Sequence, residues 1–261
     1  MSAAPSGSIP DRPDLPALPG TRRHARPASL PPGLPDLTTL FAFMREAELR
    51  FGSLRLRIED RTIVAGGERL TVSDLLLRHP GRARIATSVS GAGGAGYEIW
   101  LSDGVEVRTY SAISRVATRR PLRRRPRGLN APDLPGRTHV YDPLTPLPTE
   151  SISEAFVHPA GFCQNVLATG RCRVTGTATV AGRGAVVVEC DHPRTIEVGA
   201  DRPDHWIQVA ADTEIGLVLR LVEAIGGAVT RHAEATVVEP DAPIPDAAFE
   251  LSVPPEANRI Y

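Results

Sequence analysis

The sequence predicts a mainly β fold with helices (α+β), built around an antiparallel meander of about nine to eleven strands. Short stretches in which apolar and polar residues alternate recur along most of the chain, and glycine-containing turns separate them. Only two stretches have helical spacing. Because strands and helices do not alternate regularly, a parallel sheet is not expected.

The N-terminal residues 1–35 are predicted to form a disordered tail, since they hold nine of the 25 prolines and few large apolar side chains. They contain no charged segment followed by an apolar run, and the first cysteine is Cys163, so neither a signal peptide nor a lipobox is expected. No apolar run approaches the length of a membrane span. These features predict a cytoplasmic protein with one domain over residues 36–261.

Two segments show the features of helices. In DLTTLFAFMREAELRF the apolar residues recur at helical spacing over about fourteen residues, and Asp36 or Thr38 can cap the first turn. The second segment, ESISEAFVHPAGFCQNVLATG, can be capped by Ser151 or Ser153. Pro159 predicts that this segment divides into two short helices.

The predicted strands fall into two runs. The first begins with SLRLRIEDRTI, in which Leu54, Leu56 and Ile58 alternate with charged residues as in a half-buried strand. It includes YEIWLS-DG-VEVRTYSA, whose two alternating stretches flank an Asp-Gly turn and predict a hairpin. An arginine- and proline-rich interruption over residues 119–150 precedes the second helical segment, and the second run of strands follows it.

This order of helix, meander, helical insertion and second meander resembles the LolA-like superfamily, which includes lipoprotein carriers and the large domain of RseB-type sensors. Three stretches carry the resemblance: LRHPGRARI, with a basic residue after Pro-Gly; IWLSDGVEVRTY, a hairpin that ends in an aromatic residue; and the C-terminal stretch with an Asp-x-x-x-Gly turn and the tail PIPDAAFELSVPP. The resemblance covers about residues 36–256. It implies an unclosed antiparallel β-barrel wrapped over helices that plug an apolar cavity.

The resemblance also implies a non-enzymatic binding protein, a carrier or regulator that holds an acyl chain, a lipid, or a lipidated or apolar peptide. No catalytic motif argues for an enzyme, and no cofactor is predicted. Because no signal peptide, lipobox or smaller second domain is predicted, the chain is expected to differ from the secreted members. Six bulky residues are candidates either for the cavity wall or for a filled core: Phe41, Met44, Trp100, Tyr110, Phe156 and Trp206.

All three cysteines fall in the pattern H-x4-C-x8-C-x17-C-x-H, between His158 and His192. The pattern lacks the close ligand pairs of structural zinc sites, so no metal is assigned. A metal- or thiol-dependent function of Cys163, Cys172 and Cys190 is nevertheless one alternative to ligand binding. A disulfide between Cys163 and Cys172 and simple packing of buried thiols are the other two interpretations.

A second alternative comes from an arginine-rich loop, because all thirty basic residues are arginine and six of them lie within nine positions. Such a loop either stays solvated or binds an anion, which would be a lipid head group, an acidic protein partner or nucleic acid. No nucleic-acid-binding module or interleaved aromatic residues accompany it, so specific nucleic-acid binding is not expected. The six residues are Arg119, Arg120, Arg123, Arg124, Arg125 and Arg127.

Overall fold

The computed structural model describes residues 29–122, 143–149, 151–193 and 202–260. No helix in these ranges is long and apolar enough to cross a membrane. The helices are α1 (Leu37–Arg45), α2 (Ile152–Val157) and α3 (Pro159–Asn165), with 3-10 turns at Ala47–Arg50, Leu167–Thr169 and Asp246–Phe249. The strands are β1 (Ser53–Val64), β2 (Gly67–Arg78), β3 (Arg82–Gly91), β4 (Gly96–Asp103), β5 (Glu106–Ser111), β6 (Val116–Pro121), β7 (Arg171–Val180), β8 (Arg183–Asp191), β9 (His205–Asp212), β10 (Val218–Ile225), β11 (Ala228–Pro240) and β12 (Asn258–Ile260).

These strands form a single open sheet in the order β12-β6-β5-β4-β3-β2-β1-β11-β10-β9-β8-β7. Each meander pairs its strands in chain order, and the antiparallel pair β1–β11 joins the two meanders in the middle. The sheet does not close, so β7 and β12 are its edges. The predicted architecture, an unclosed antiparallel barrel of strands in meander order, is therefore confirmed. The strand beyond the predicted range is β12, which has three residues and pairs in parallel with β6.

The predicted helices are present, with one difference in length. Asp36 caps α1 by accepting a hydrogen bond from the backbone N–H of Thr39 at 2.8 Å. The first helical segment is divided after Arg45 into α1 and a 3-10 turn, because the Arg50 side chain donates to the carbonyl of Phe43 at 2.7 Å and holds this end of the helix. The second segment breaks before Pro159 as predicted, and Ser151 caps α2.

The core lies between the concave face of the sheet and the helices. On β1 the buried residues Leu54, Leu56 and Ile58 alternate with exposed arginines, as the sequence predicts. They belong to the same apolar cluster as Met44 of α1 and Phe156 of α2, both of which are fully buried. The helices are therefore held on the sheet by burial of its apolar face.

One of the stretches that carry the family resemblance, LRHPGRARI, contacts the C-terminal tail, which belongs to another of them. The carboxylate of Asp246, in the tail, accepts hydrogen bonds from Arg78 and Arg82, which flank the Pro-Gly turn. The guanidinium of Arg78 also lies 5.3 Å from the ring centroid of Phe249, which is buried. The tail is thus fastened across the β2–β3 turn by charge and by an aromatic contact.

The Asp-x-x-x-Gly stretch is a turn that a buried carboxylate organises. One oxygen of Asp212 accepts from the backbone N–H groups of Glu214 and Ile215 at 2.7 and 2.9 Å, while the other pairs with the guanidinium of Arg183. Gly216 closes the turn at φ 81°, and a Cβ there would lie 3.1 Å from the carbonyl oxygen of Phe43 in α1. The turn needs glycine because of both its conformation and this close approach.

A buried polar network ties the helices to the β2–β3 turn. The carboxylate of Glu48 lies 2.6 Å from Nδ1 of His158, and its second oxygen accepts from the backbone N–H of Leu144 at 2.7 Å. Nε2 of His158 lies 2.9 Å from the carbonyl of Thr145, whose hydroxyl is 2.8 Å from Nδ1 of His79. Four separate segments of the chain therefore converge on one set of hydrogen bonds.

Replacing Asp212 with Ala is expected to lower the free energy of unfolding by about 3–5 kcal/mol, because Arg183 loses its buried partner and two backbone N–H groups lose their acceptor. The matched control is Glu214→Ala, which removes the exposed partner of the same arginine and should cost less than about 1 kcal/mol. Urea denaturation of both variants measures the difference. Equal losses would contradict the role given to the Asp212 carboxylate.

The free energy of unfolding should also fall in acid because of His79. Burial is the main reason that the pKa of His79 is lowered to about 4; the charge of Glu48 opposes this shift and that of His158 adds to it. The unfolded chain binds a proton at this histidine near pH 6.5, whereas the folded chain does not until about pH 4. The free energy of unfolding should therefore fall by about 2.5 kcal/mol between these pH values on account of this residue. Urea titrations of the protein and of His79→Gln should diverge in this window; parallel curves would refute the assignment.

Candidate ligand-binding site

A cavity of about 460 Å³ lies between the concave face of the first meander and the start of α2. Strands β1 to β5 supply most of its wall, and Pro148, residues 151–153 and Arg231 of β11 complete it. Its volume is within the range of about 300–1,000 Å³ that is typical of small-molecule sites. The lining residues include Asp60, Thr71, Ser73, Ile85, Thr87, Glu98, Trp100, Thr109, Tyr110, Ser111, Pro148, Ser151, Ile152, Ser153 and Arg231.

Strand register arranges these residues in two rows across the sheet. One row is polar, because Ser73 pairs with Thr87, Thr87 with Glu98, and Glu98 with Ser111. The neighbouring row contains Ile85, Trp100 and Thr109. Since residues two apart on a strand share a face, the two rows are adjacent on the wall of the cavity. The cavity therefore has one apolar and one polar side.

The apolar side is extended by the helical insertion. Ile152, the first residue of α2, lines the cavity together with Pro148 from the preceding segment, and both face the space bounded by Ile85 and Trp100. Ser151 caps α2 and so fixes where Ile152 lies. These side chains offer an apolar surface of the kind that holds a hydrocarbon chain.

The polar side contains one compensated ion pair. Arg231 donates two hydrogen bonds to the carboxylate of Asp60 at 3.0 and 2.8 Å, and a third to Glu223 at 3.4 Å. Burial lowers the pKa of Arg231, but the hydrogen bonds to Asp60 and Glu223 and the charges of these two carboxylates together outweigh this effect and leave the pKa raised. Its charge is therefore already neutralised by two carboxylates, one of which, Asp60, is 7% exposed.

Three further polar groups on the wall have no partner within the described residues. Ser73 and Ser153 are 3% and 1% exposed, and neither hydroxyl makes a hydrogen bond there. Glu98 makes no ion pair with any described residue and is exposed to the cavity. Because buried hydroxyls normally have partners, Ser73 and Ser153 are available for hydrogen bonds to a bound molecule.

These positions could have been found in the sequence. They are polar residues at strand positions where the alternating pattern predicts an inward, apolar side chain. Asp60 occupies the inward phase of β1, after Leu54, Leu56 and Ile58, where another apolar residue is expected. Ser73 likewise precedes the inward Leu75 and Leu77 of β2 and shares their phase. Polar residues at consecutive inward positions of neighbouring strands therefore indicate a hydrated or ligand-binding part of the sheet.

Five of the six bulky candidates lie at the cavity or at the core, and Trp206 lies at neither. Trp100 and Tyr110 line the cavity. Met44 and Phe156 are fully buried in the apolar core, and Phe41 packs against that core while partly exposed. Trp206 lies on β9 at a position of opposite phase to the buried Ile207.

The cysteines are brought together in a different pair from the predicted one. All three are free thiols, and Sγ of Cys163 lies 3.8 Å from Sδ of Met44, in the core. Cys172 instead faces Cys190 across the β7–β8 pair. The predicted disulfide between Cys163 and Cys172 is not formed in the structure, because the two side chains have different neighbours.

No group of three metal-binding side chains forms within the described ranges. His158, which the sequence pattern grouped with the cysteines, belongs to the network of Glu48. Burial raises the pKa of Cys163 to about 12, which keeps this thiol protonated.

Only part of the predicted anion-binding loop belongs to the described residues. Arg119 lies on β6 and donates to Glu106 at 2.6 Å, and Arg120 is exposed on the same strand. Arg123, Arg124, Arg125 and Arg127 lie outside the described residues, so anion or partner binding by this loop stays a prediction.

No protein-family model matches the chain, and no curated protein matches it. Among solved structures, it is similar to MucB in complex with MucA(peri), with 14% identity, a TM-score of 0.47 and 83% of this chain covered. It is also similar to the lipoprotein LppX of Mycobacterium tuberculosis, with 11% identity and a TM-score of 0.41, covering 80% of this chain and 98% of that one. LprF of Mycobacterium bovis gives 9% identity, a TM-score of 0.40 and coverage of 85% and 99%. The chain spans 60% of the length of the MucB chain.

Proposed function

We propose that this protein is a non-enzymatic binding protein that holds an amphiphile with an acyl chain in the half-barrel cavity, as a carrier or as a regulator. The observation that supports the proposal is the cavity beside α2, in which an apolar row adjoins a polar row. The hydrocarbon chain would lie against Ile85, Trp100 and Ile152. The polar end of the ligand would lie against Ser73, Thr87 and Glu98.

The apolar row would supply most of the affinity. Burial of each methylene group is worth about 0.8 kcal/mol, so a chain of several carbons outweighs the cost of ordering the ligand. The polar row would fix the orientation of the ligand, since a few placed polar groups usually provide specificity in an apolar pocket. Both features are expected of a carrier that binds and releases an intact molecule.

The charges of the cavity favour a head group that donates hydrogen bonds. Among the described lining residues, Asp60 and Arg231 compensate each other, which leaves the carboxylate of Glu98 as the excess charge. An anionic head group would face this carboxylate without a free cation in the described wall. A neutral hydroxyl-bearing head group, or an ammonium group, would instead donate to Glu98 and exchange hydrogen bonds with the serine and threonine hydroxyls.

Tryptophan fluorescence tests the location of the ligand, because the chain has two tryptophans and only Trp100 lines the cavity. In Trp206→Phe, titration with a long-chain monoacylglycerol should give a saturable blue shift as Trp100 loses contact with water. The control is Trp100→Phe, in which Trp206 should show no shift although native mass spectrometry detects the bound lipid. A shift of the same size in both variants, or in neither, would overturn the proposed site.

Replacement of Glu98 by Gln tests the polar end. Affinity for a long-chain primary amine should fall about tenfold, because one charge-assisted hydrogen bond is lost. Affinity for the alcohol of the same chain length should change less than about twofold, since the amide still accepts its hydrogen bond. Calorimetric titration gives both values.

The matched control for this variant is Glu239→Gln, which removes an equally negative side chain that pairs with Arg55 away from the cavity. It should leave both affinities unchanged. If the unsubstituted protein binds the fatty acid of that chain length more tightly than the amine, the assignment of the polar end is wrong. If the unsubstituted protein binds neither the amine, the alcohol nor the fatty acid, the cavity is not the binding site.

A further inference from the structure

The β7–β8 pair places two cysteines directly opposite each other. Cys172 and Cys190 are partners in the antiparallel register. Such partners lie about 4.5 or 5.5 Å apart at Cα, depending on the type of pair, and both distances are within the range of about 4.4–6.8 Å that a disulfide spans. The backbone therefore already has a separation that a bond between these residues needs.

The two side chains also point the same way. The thiols of Cys172 and Cys190 lie 3.0 and 3.4 Å from one acceptor, the carbonyl oxygen of Leu167, in the 3-10 turn that follows α3. Two sulfur atoms that share an acceptor at these distances are close neighbours. The pair thus lies where the helical insertion returns to the sheet.

The two thiols differ in accessibility and in acidity. Cys172 is half-buried at the edge strand β7, whereas Cys190 is fully buried. The Cys190 thiol can donate to the Cys172 thiolate in place of Leu167, which lowers the pKa of Cys172, and the interaction with Cys172 in turn raises the pKa of Cys190. Cys172 is therefore the thiol that ionises first and that a small reagent can reach.

We propose that Cys172 and Cys190 form a reversible cross-strand disulfide by exchange with a small disulfide such as oxidised glutathione. The Cys172 thiolate attacks one sulfur of the reagent and releases a glutathione thiolate, which leaves a mixed disulfide on Cys172. Cys190 then loses its proton and attacks the sulfur of Cys172, releasing the second glutathione. The protein gives up two electrons and two protons, and the reagent becomes two molecules of reduced glutathione.

The new bond would change the junction between the insertion and the sheet in two ways. It would fasten the edge strand β7 to β8 covalently. It would also remove both S–H donors from the carbonyl of Leu167, so that the end of the helical insertion loses two hydrogen bonds from the sheet. Oxidation would therefore replace the two hydrogen bonds to Leu167 with a covalent bond between β7 and β8.

Thiol counting on the folded protein tests the proposal. After treatment with oxidised glutathione, the three thiols should fall to one, and the intact mass should decrease by two hydrogens without a glutathione adduct. The equilibrium constant for unfolding should fall by about 100-fold relative to the reduced protein, because a loop of this size is closed in the unfolded chain. Added dithiothreitol should restore three thiols.

Single variants identify the residues. Cys163→Ala should still lose two thiols, whereas Cys190→Ala should stop at a glutathione adduct on Cys172. Cys172→Ala should lose no thiols. Because this substitution is at a half-buried position, it keeps the test valid even if the Cys190 variant misfolds. A stable adduct on Cys172 in the unsubstituted protein, three unreacted thiols, or a bond that forms in Cys172→Ala would each overturn the proposal.

Discussion

The pairing of Glu48 with His158 is the interaction on which the arrangement of the helices depends. Both side chains are at least 96% buried, and their atoms are 2.6 Å apart. A buried carboxylate is costly unless it is paired and hydrogen-bonded, so the turn after α1 and the junction of α2 with α3 are stable only when they lie together. Through Thr145 the same network reaches His79 in the β2–β3 turn, which fixes both helices over one end of the sheet.

The location of the cavity follows from this anchoring. Near the helices the inward positions of β1 and β2 are leucines, such as Leu54 and Leu77, and they are completely covered. Further along the same strands the inward residues are polar, as at Asp60 and Ser73. The helices cannot cover these groups without supplying partners for them. The helices therefore leave a cavity where the inward face of the sheet becomes polar, and α2 borders this cavity through Ile152.

Local features of the fold could be predicted from the sequence because their causes are local. The hairpin around Asp103–Gly104, the cap at Asp36 and the helix break before Pro159 each depend on neighbouring residues. Pairing across long separations could not be predicted in this way. Arg231 meets Asp60 across 171 positions, and Cys172 faces Cys190 rather than Cys163 because strand register decides which residues are opposite.

The chemistry of the cavity is a property of particular side chains and not of the open sheet that carries them. Alternation on β2 and β3 would accept leucine in place of Ser73 and valine in place of Thr87, and the sheet would then have an inward face that is apolar throughout. The observed residues instead leave hydroxyls and the carboxylate of Glu98 beside an apolar row. A molecule that is only a hydrocarbon would leave these groups without partners, at a cost that opposes its binding. Under the proposed function, the wall would therefore favour a ligand that is itself amphiphilic, with its polar part at the row that begins at Ser73.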